Sequence, residues 1–401
     1  MRKIKLLIPG LLAGFSLFLT QNTVAQVGSG NTGGQQDALR AITTAVPILT
    51  VAPDARSAGM GDAGVAISPD ANAPHWNPAK LGFVENDLSV GLSYSPWLRN
   101  LVNDMSLSYL SGYKKLGENS AFSLSMMYFN LGSIQFTDNI GNPGPDFRPK
   151  EYSIDAAYGQ KLSEYLSVGV GARYIRSNLS GGVAVSGSGG GTTDSKPGNS
   201  VAADLGIYYN RDLVMGGRNY NLALGGNISN IGAKISYTTP EQKDFIPTNL
   251  RLGTAFTMEL DPYNKITLAV DGNKLLVPTP TGEFREDSLR RSYGVLKGIT
   301  SSFSDAPDGF SEEIREINIS AGLEYWYDNL FAARVGYFYE DPNKGNRRYF
   351  SMGLGLRYQK FGLDAAYLIP NDQNNPLAQT IRFSFIFNLD KDETTSTPAS
   401  L

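Results

Sequence analysis

Apolar residues at every second position, repeated through some fourteen segments, constrain this chain more than any other feature in it. Tyr152, Ile154, Ala156 and Tyr158 alternate with Ser153, Asp155, Ala157 and Gly159. Leu250, Leu252, Thr254, Phe256 and Met258 alternate with Arg251, Gly253, Ala255, Thr257 and Glu259, and Phe350, Met352, Leu354 and Leu356 with Ser351, Gly353, Gly355 and Arg357. Near the end, Ile381, Phe383, Phe385 and Phe387 repeat the pattern. Successive side chains of a strand point to opposite faces, so each segment reads as a strand with one greasy face and one polar or glycine-rich face. The segments fall near 88–95, 103–113, 119–131, 150–160, 164–178, 199–210, 218–230, 247–260, 264–276, 315–327, 330–340, 347–359, 361–368 and 379–389. An even number of strands of this length fits an all-β fold, a transmembrane antiparallel β-barrel over 88–389.

The gaps between segments give an independent test. Those at 132–149, 179–198, 231–246 and 277–314 are long, while those at 114–118, 161–163, 211–217, 261–263, 328–329 and Lys360 are tight. Short periplasmic turns alternating with long external loops are the outer-membrane pattern, and they place both ends of the barrel in the periplasm. A soluble sandwich has no reason to alternate in this way. Aromatic pairs at Tyr94 and Trp97, Tyr109 and Tyr113, Tyr325 to Tyr327, Tyr337 to Tyr339 and Tyr349 with Phe350 lie toward strand ends, where membrane interfaces hold amphipathic rings.

The flanks fit export. Arg2, Lys3 and Lys5 precede the apolar run Leu6 to Leu19 and the small-residue site Thr23-Val24-Ala25, which is the layout of a signal peptide over 1–25. Residues 26–40 read as a flexible Gly- and Gln-rich linker, and 390–401 as a disordered polar tail. Both termini of the mature chain are expected in the periplasm of the outer membrane.

Residues 41–87 fit no strand ladder. The run Asp54-Ala55-Arg56-Ser57-Ala58-Gly59-Met60-Gly61-Asp62 is dense in small residues that let backbone approach backbone, as a plug folded inside a lumen requires. Asn77 suits an N-cap and Pro78 the first helical position. The alternative is a small periplasmic cap outside the barrel. Charges on the polar faces are of both signs, Arg173, Arg251, Arg334, Arg357 and Arg382 against Asp155, Asp204, Glu259, Asp271, Glu324, Glu340 and Asp364. Charges at membrane depth must pair or meet water, so a salt-bridge network joining barrel and plug is expected rather than a channel selective for one sign.

Chemistry is scarce. The chain has no Cys and one His, His75, which removes thiolate metal sites, cysteine nucleophiles and most Ser-His mechanisms. Gly28-Ser29-Gly30-Asn31-Thr32-Gly33 spells a dinucleotide motif, but no strand precedes it. With 35 basic and 38 acidic residues mixed along the chain, no basic stripe offers itself to nucleic acid. No catalytic residue, cofactor or metal is expected.

Two external segments could meet a partner. Leu289, Tyr293, Leu296 and Ile299 recur at helical spacing within the longest external loop, so one amphipathic helix is expected there. Its apolar face could dock a partner or pack on neighbouring loops. Trp97 and Leu98, after Pro96, are the other exposed apolar candidates, and Trp97 could equally be an interface anchor.

Pro47-Ile48-Leu49-Thr50, the stretch from Ala55 to Asp62, and Asn77-Pro78-Ala79 together resemble the plug of FadL-like barrels, and within them the PorV family of the type IX secretion system. That resemblance implies a non-enzymatic outer-membrane component. Its partners would be the type IX translocon barrel, the C-terminal signal domains of secreted cargo, the surface attachment complex with its sortase-like protease, and outer-membrane lipid. It would bind cargo at the translocon and shuttle it to the attachment complex. A passive importer of hydrophobic molecules, as other FadL-like barrels imply, is the alternative. A lipid- or polysaccharide-modifying barrel enzyme is a third class, and it would need a convergent polar triad.

Overall fold

The computed structural model describes residues 40–97, 104–137, 143–179, 184–186, 192–239, 241–371 and 380–389. Fourteen antiparallel strands close into one barrel: β1 (Leu88–Pro96), β2 (Met105–Gly117), β3 (Ser120–Leu131), β4 (Lys150–Lys161), β5 (Leu166–Asn178), β6 (Gly198–Met215), β7 (Arg218–Gly232), β8 (Asn249–Asp261), β9 (Asn264–Leu275), β10 (Ile317–Tyr327), β11 (Phe331–Tyr339), β12 (Arg348–Tyr358), β13 (Phe361–Pro370) and β14 (Ile381–Leu389). Each strand pairs with its neighbours in sequence, and β14 closes on β1 with Leu389 opposite Leu88. Closure leaves no unpaired edge, which a sheet surrounded by lipid requires.

The faces are reversed relative to a soluble protein. On β1 the apolar file Val90, Leu92 and Tyr94 is exposed, and the serines Ser89, Ser93 and Ser95 are buried. Only a sheet whose outside meets hydrocarbon sorts residues this way. The short connections are tight for local reasons. Gly216 and Gly217 both take positive φ, as do Asp328 and Asn329, which is the two-residue turn whose twist matches paired strands. Strand β6 runs to Met215, five residues past the expected 210, because this Gly-Gly turn lets pairing with β7 continue to Met215–Arg218.

All long connections leave one end of the barrel, and Leu88 and Leu389 lie at the other, with the short turns. Small two-stranded ribbons, Ile134–Thr137 with Pro143–Phe147 and Ala184–Ser186 with Thr192–Asp194, rise from two of the long loops. The longest loop carries α3 (Phe284–Ser292), α4 (Val295–Ser301) and α5 (Phe310–Arg315). The single helix expected through 289–299 is therefore two: Tyr293, with ψ at 144°, and Gly294, with ψ at 159°, are extended and break it.

Several expected interface aromatics also point elsewhere. Tyr109, Tyr113, Trp326, Phe338 and Tyr349 are buried inside the barrel, while Tyr94, Tyr327 and Phe350 face outward. Alternation dictates this, since adjacent aromatics on one strand cannot share a face. Glu259, expected to face inward, is exposed near the short-turn end and accepts from Asn219 at 2.8 Å.

Candidate functional site

The lumen is filled by residues 40–87. Arg40 lies at the long-loop end, its guanidinium 3.1 Å from both Glu312 and Asp308, and the Ala45 amide donates to the Phe245 carbonyl. From there the chain descends through the 3-10 turn Pro47–Thr50, the single helical turns α1 (Ala55–Ala58) and α2 (Ala73–Trp76), and the 3-10 turn Pro78–Phe83 to Asp87. The Asp87 carbonyl accepts from Lys115 beside the start of β1. The first described residue thus lies at the barrel end opposite Leu389. The chain termini themselves, with the proposed signal, most of the linker and the tail, lie outside the described residues.

The motif residues are the places where this segment meets the wall. The Asp54 carboxylate caps α1 by accepting from the Ser57 amide and also accepts from the Trp76 indole at 2.7 Å. Arg56 then projects to β10, donating to Glu324 through Nε at 3.0 Å and Nη2 at 2.8 Å, while Nη1 reaches Asp70 and the Ser68 carbonyl. A side chain on Gly59 would meet the Gly353 backbone of β12 at 3.0 Å. Met60 is fully buried against Gly322 of β10 and Gly336 of β11. Gly61 takes φ +67° with Tyr337 backbone against it, and its amide donates to Ser351 at 2.9 Å. Asp62, at φ +64°, accepts from Tyr349 at 2.6 Å and lies 3.7 Å from Arg382. Asn77 caps the second 3-10 turn through the Ala79 amide and donates to the Ile207 carbonyl of β6 at 2.9 Å. The Pro78 backbone occupies the space where Gly169 of β5 and Gly159 of β4 lack side chains.

Around these contacts the charges pair. Asp70, Arg56, Glu324, Arg334, Asp364 and Arg357 form one chain of alternating sign from the plug segment across β10 to β13, with every contact between 2.7 and 3.2 Å. Arg173 bridges Asp155 and Asp204, the latter at a bulge in β6. Arg251 makes no ion pair among the described residues and lies over the Trp76 ring at 4.8 Å. His75 is buried edge-on against Trp76 and Tyr109.

Above the plug segment a cavity of about 1220 Å³ occupies the long-loop half of the lumen. Residues 43–48, Thr50, Val51, Asp62 and Trp76 border it below, and Trp97, Phe129, Phe245, Arg251 and Phe338 line its wall. Trp97 is thus not exposed but turned inward against Phe129, with ring centroids 5.8 Å apart. Leu98 lies outside the described residues. Leu289 and Leu296 are exposed, Tyr293 and Ile299 half-buried.

The mouth carries a lattice that sequence reasoning missed. Lys274 of β9 holds Glu313 and Glu316, and Lys344, on the β11–β12 loop, holds Glu312 and Glu316, all between 2.6 and 3.0 Å. Arg40 adds its bonds to Glu312 and Asp308, so α5 is tied to the plug segment, to β9 and to a second loop. Burial raises the Glu312 carboxyl, but the Lys344 ammonium, the Asp308 amide and Arg40 outweigh it and hold this group below the usual carboxylate range. Burial pushes the Asp305 carboxyl up. The signal was present as Glu312, Glu313 and Glu316, whose spacing puts Glu312 and Glu316 on one side of a helical turn.

These features define an outer-membrane β-barrel whose lumen is occupied by its own amino-terminal segment. The chain belongs to the PorV family: the model for type IX secretion system protein PorV matches residues 34–282, more than half of it. It is thereby a type IX secretion component of the outer membrane. No curated protein matches it. Solved structures that are similar include the TodX deltaS2S3 mutant monoaromatic hydrocarbon channel, 13% identical, covering 84% of this chain and 99% of that one with a TM-score of 0.49. The Ralstonia pickettii toluene transporter TbuX is 12% identical, covering 84% and 98% with a TM-score of 0.45. A Pseudomonas aeruginosa FadL homologue is 10% identical, covering 87% and 99% with a TM-score of 0.39.

Proposed function

We propose that this barrel is a non-enzymatic docking component whose long-loop end faces the cell exterior. There it binds the C-terminal signal domain of secreted cargo at the type IX translocon and carries it to the surface attachment complex. The observation that carries this reading is the arrangement of the lumen: a large cavity open toward the long loops, above a segment pinned to the wall by Arg56, Asp62 and Asn77. A barrel filled by Met60, Ala63, Val65 and Ala79, all fully buried, suits a receptor better than a conduit. Exposed apolar residues on the longest loop, among them Phe284, Leu296 and Phe310, supply the kind of surface that a protein partner covers.

The domain boundaries follow the same reading: signal 1–25, linker 26–40, plug 41–87, barrel 88–389 and tail 390–401, with residues 88 and 389 on the periplasmic side. A second reading, passive import of hydrophobic molecules, is favoured by the aromatic lining of the cavity, but it needs a path past the plug segment.

The test is affinity purification of the tagged barrel from solubilised outer membranes of cells whose surface attachment is blocked, with mass spectrometry of what is retained. Exported proteins sharing one C-terminal domain are expected with the wild type and lost with Leu296→Asp/Phe310→Asp at unchanged barrel level. A barrel that elutes with small apolar molecules and no exported protein would replace this reading with import.

A further inference from the structure

The lipid-facing wall is uniform in its apolar band but not at its rim. On β4 the outward file runs Tyr158, Ile154, Tyr152 and then Lys150 toward the long-loop end. On β5 it runs Val168, Val170, Tyr174 and then Arg176, and on β6 Ile207, Leu205, Val201 and then Asn199. The register sets these files side by side, with Tyr152 opposite Arg176 and Arg176 opposite Asn199. Apolar residues thus give way to two tyrosines and then to cations, with Arg176 in register with Tyr152 and Lys150 one outward position further on, at headgroup height.

Among the described residues no carboxylate pairs with them. Glu151, next to Lys150 in sequence, is turned into the lumen by strand alternation and accepts from Ser177 at 2.7 Å. Arg176 donates to the Asn199 amide oxygen at 3.3 Å, and Tyr174 donates to the same oxygen at 2.8 Å. Among the described residues neither Lys150 nor Arg176 makes an ion pair. Arg148 and Lys196 are exposed on the adjoining loops, as are Asp146, Glu241 and Asp244.

We propose that this β4–β6 rim is a binding site for the phosphorylated glycolipid of the outer leaflet, lipopolysaccharide. The phosphates of its diglucosamine headgroup meet Lys150 and Arg176, and its acyl chains lie along Ile154, Val170 and Val201. The chemistry matches at each level. A guanidinium and an ammonium on one face form a phosphate cradle, the tyrosines sit where sugar meets hydrocarbon, and a ridged apolar wall continues below. The choice of glycolipid over phospholipid rests on the orientation proposed above, in which the long loops face outward. Bound there, the lipid would fix the rotational setting of the barrel in the membrane relative to its partners.

The experiment uses the full-length barrel purified in mild detergent and exchanged free of lipid, with three probes: purified lipopolysaccharide, the same glycolipid dephosphorylated, and phosphatidylglycerol. Binding is read by native mass spectrometry. The expected result is that lipopolysaccharide binds about tenfold more tightly than either other probe, and that Lys150→Glu/Arg176→Glu removes that preference. Lys114→Glu, the same charge change at the opposite rim, should leave it intact. The heat-dependent shift in electrophoretic mobility of folded barrels verifies that each variant is folded. Equal binding of the dephosphorylated glycolipid or of phosphatidylglycerol, or an undiminished preference in the double variant, would overturn the proposal. A wrong orientation shows separately, as long loops protected from protease on intact cells, because the binding ratio is read on purified protein.

Discussion

The guanidinium of Arg56, on the first helical turn of the plug segment, forks onto the carboxylate of Glu324 on β10 at 2.8 and 3.0 Å. Both groups are almost fully buried, and Glu324 also accepts from Arg334 at 2.7 Å. A buried charge deprived of its partner costs about 3–5 kcal/mol, whereas a surface pair is worth about 0–1 kcal/mol. The two ends of this contact are therefore unequal. Arg56→Met leaves Glu324 paired with Arg334 and strips only the part-exposed Asp70, so it should cost about 3 kcal/mol, while Glu324→Gln takes an anion from both Arg56 and Arg334, leaving them Asp70 and Asp364 alone, and should cost more. Thermal unfolding in detergent, followed by the mobility shift of the folded barrel, should rank wild type above Arg56→Met above Glu324→Gln. Equal melting of all three would show that this pair does not hold the plug to the wall.

The glycines of the wall predict where the plug can be dislodged. A side chain on Gly336 would lie 2.1 Å from the Met60 carbonyl carbon and the Gly61 amide nitrogen, both backbone atoms that cannot step aside alone. Gly336→Val should lift the Met60–Gly61 turn and raise single-barrel conductance in planar bilayers well above that of the wild type. Gly117→Ala, where an added Cβ meets nothing within 4 Å, should conduct as the wild type does. Unchanged conductance in Gly336→Val would mean that the lumen does not depend on this packing.

Much of this was legible in the sequence, for a physical reason. A strand buried on one side and lipid-facing on the other writes its orientation into every second residue, so the β4 and β12 patterns gave both the element and its faces. The density of small residues from Ala55 to Gly61 has a physical counterpart, since only a residue without a side chain lets Gly59 meet Gly353 backbone. What sequence could not give was contact between residues far apart in the chain. Trp97 reads as an exposed loop residue until β3 brings Phe129 beside it, and Lys274 and Lys344 read as unrelated until α5 sets Glu316 between them. The break at Tyr293 and Gly294 was missed because the apolar spacing continues through it, although Gly294 is the residue that ends such a helix.

Acid should loosen the mouth. Glu312 is held below its usual range in the folded protein, so its contribution is full above the unfolded carboxylate pKa of about 4.5 and fades as pH falls through the lower folded value. The protection factor for hydrogen exchange across Phe310–Arg315, which divides out the intrinsic pH dependence of amide exchange, should therefore be high near neutrality and fall below about pH 4.5. Glu312→Gln, which strips charge from the bonds to Lys344 and Arg40, should give fast exchange there already at pH 7. A protection factor that is independent of pH in the wild type would contradict this role.

In a docking barrel the plug stays in place while the protein works. The chain has no cysteine, so a single engineered pair gives an unambiguous lock. Ala71 and Gly91 offer the site, because a Cβ on Gly91 would lie 3.1 Å from that of Ala71, close enough that a small separation of the two backbones reaches the roughly 3.5 Å lower end of disulfide spacing. The measurement is export of cargo by cells whose only copy is Ala71→Cys/Gly91→Cys, with the disulfide formed and then reduced. Equal export is expected in both states. Export that stops when the bond forms and returns on reduction would show that the plug must move, and that the protein is a conduit rather than a docking barrel.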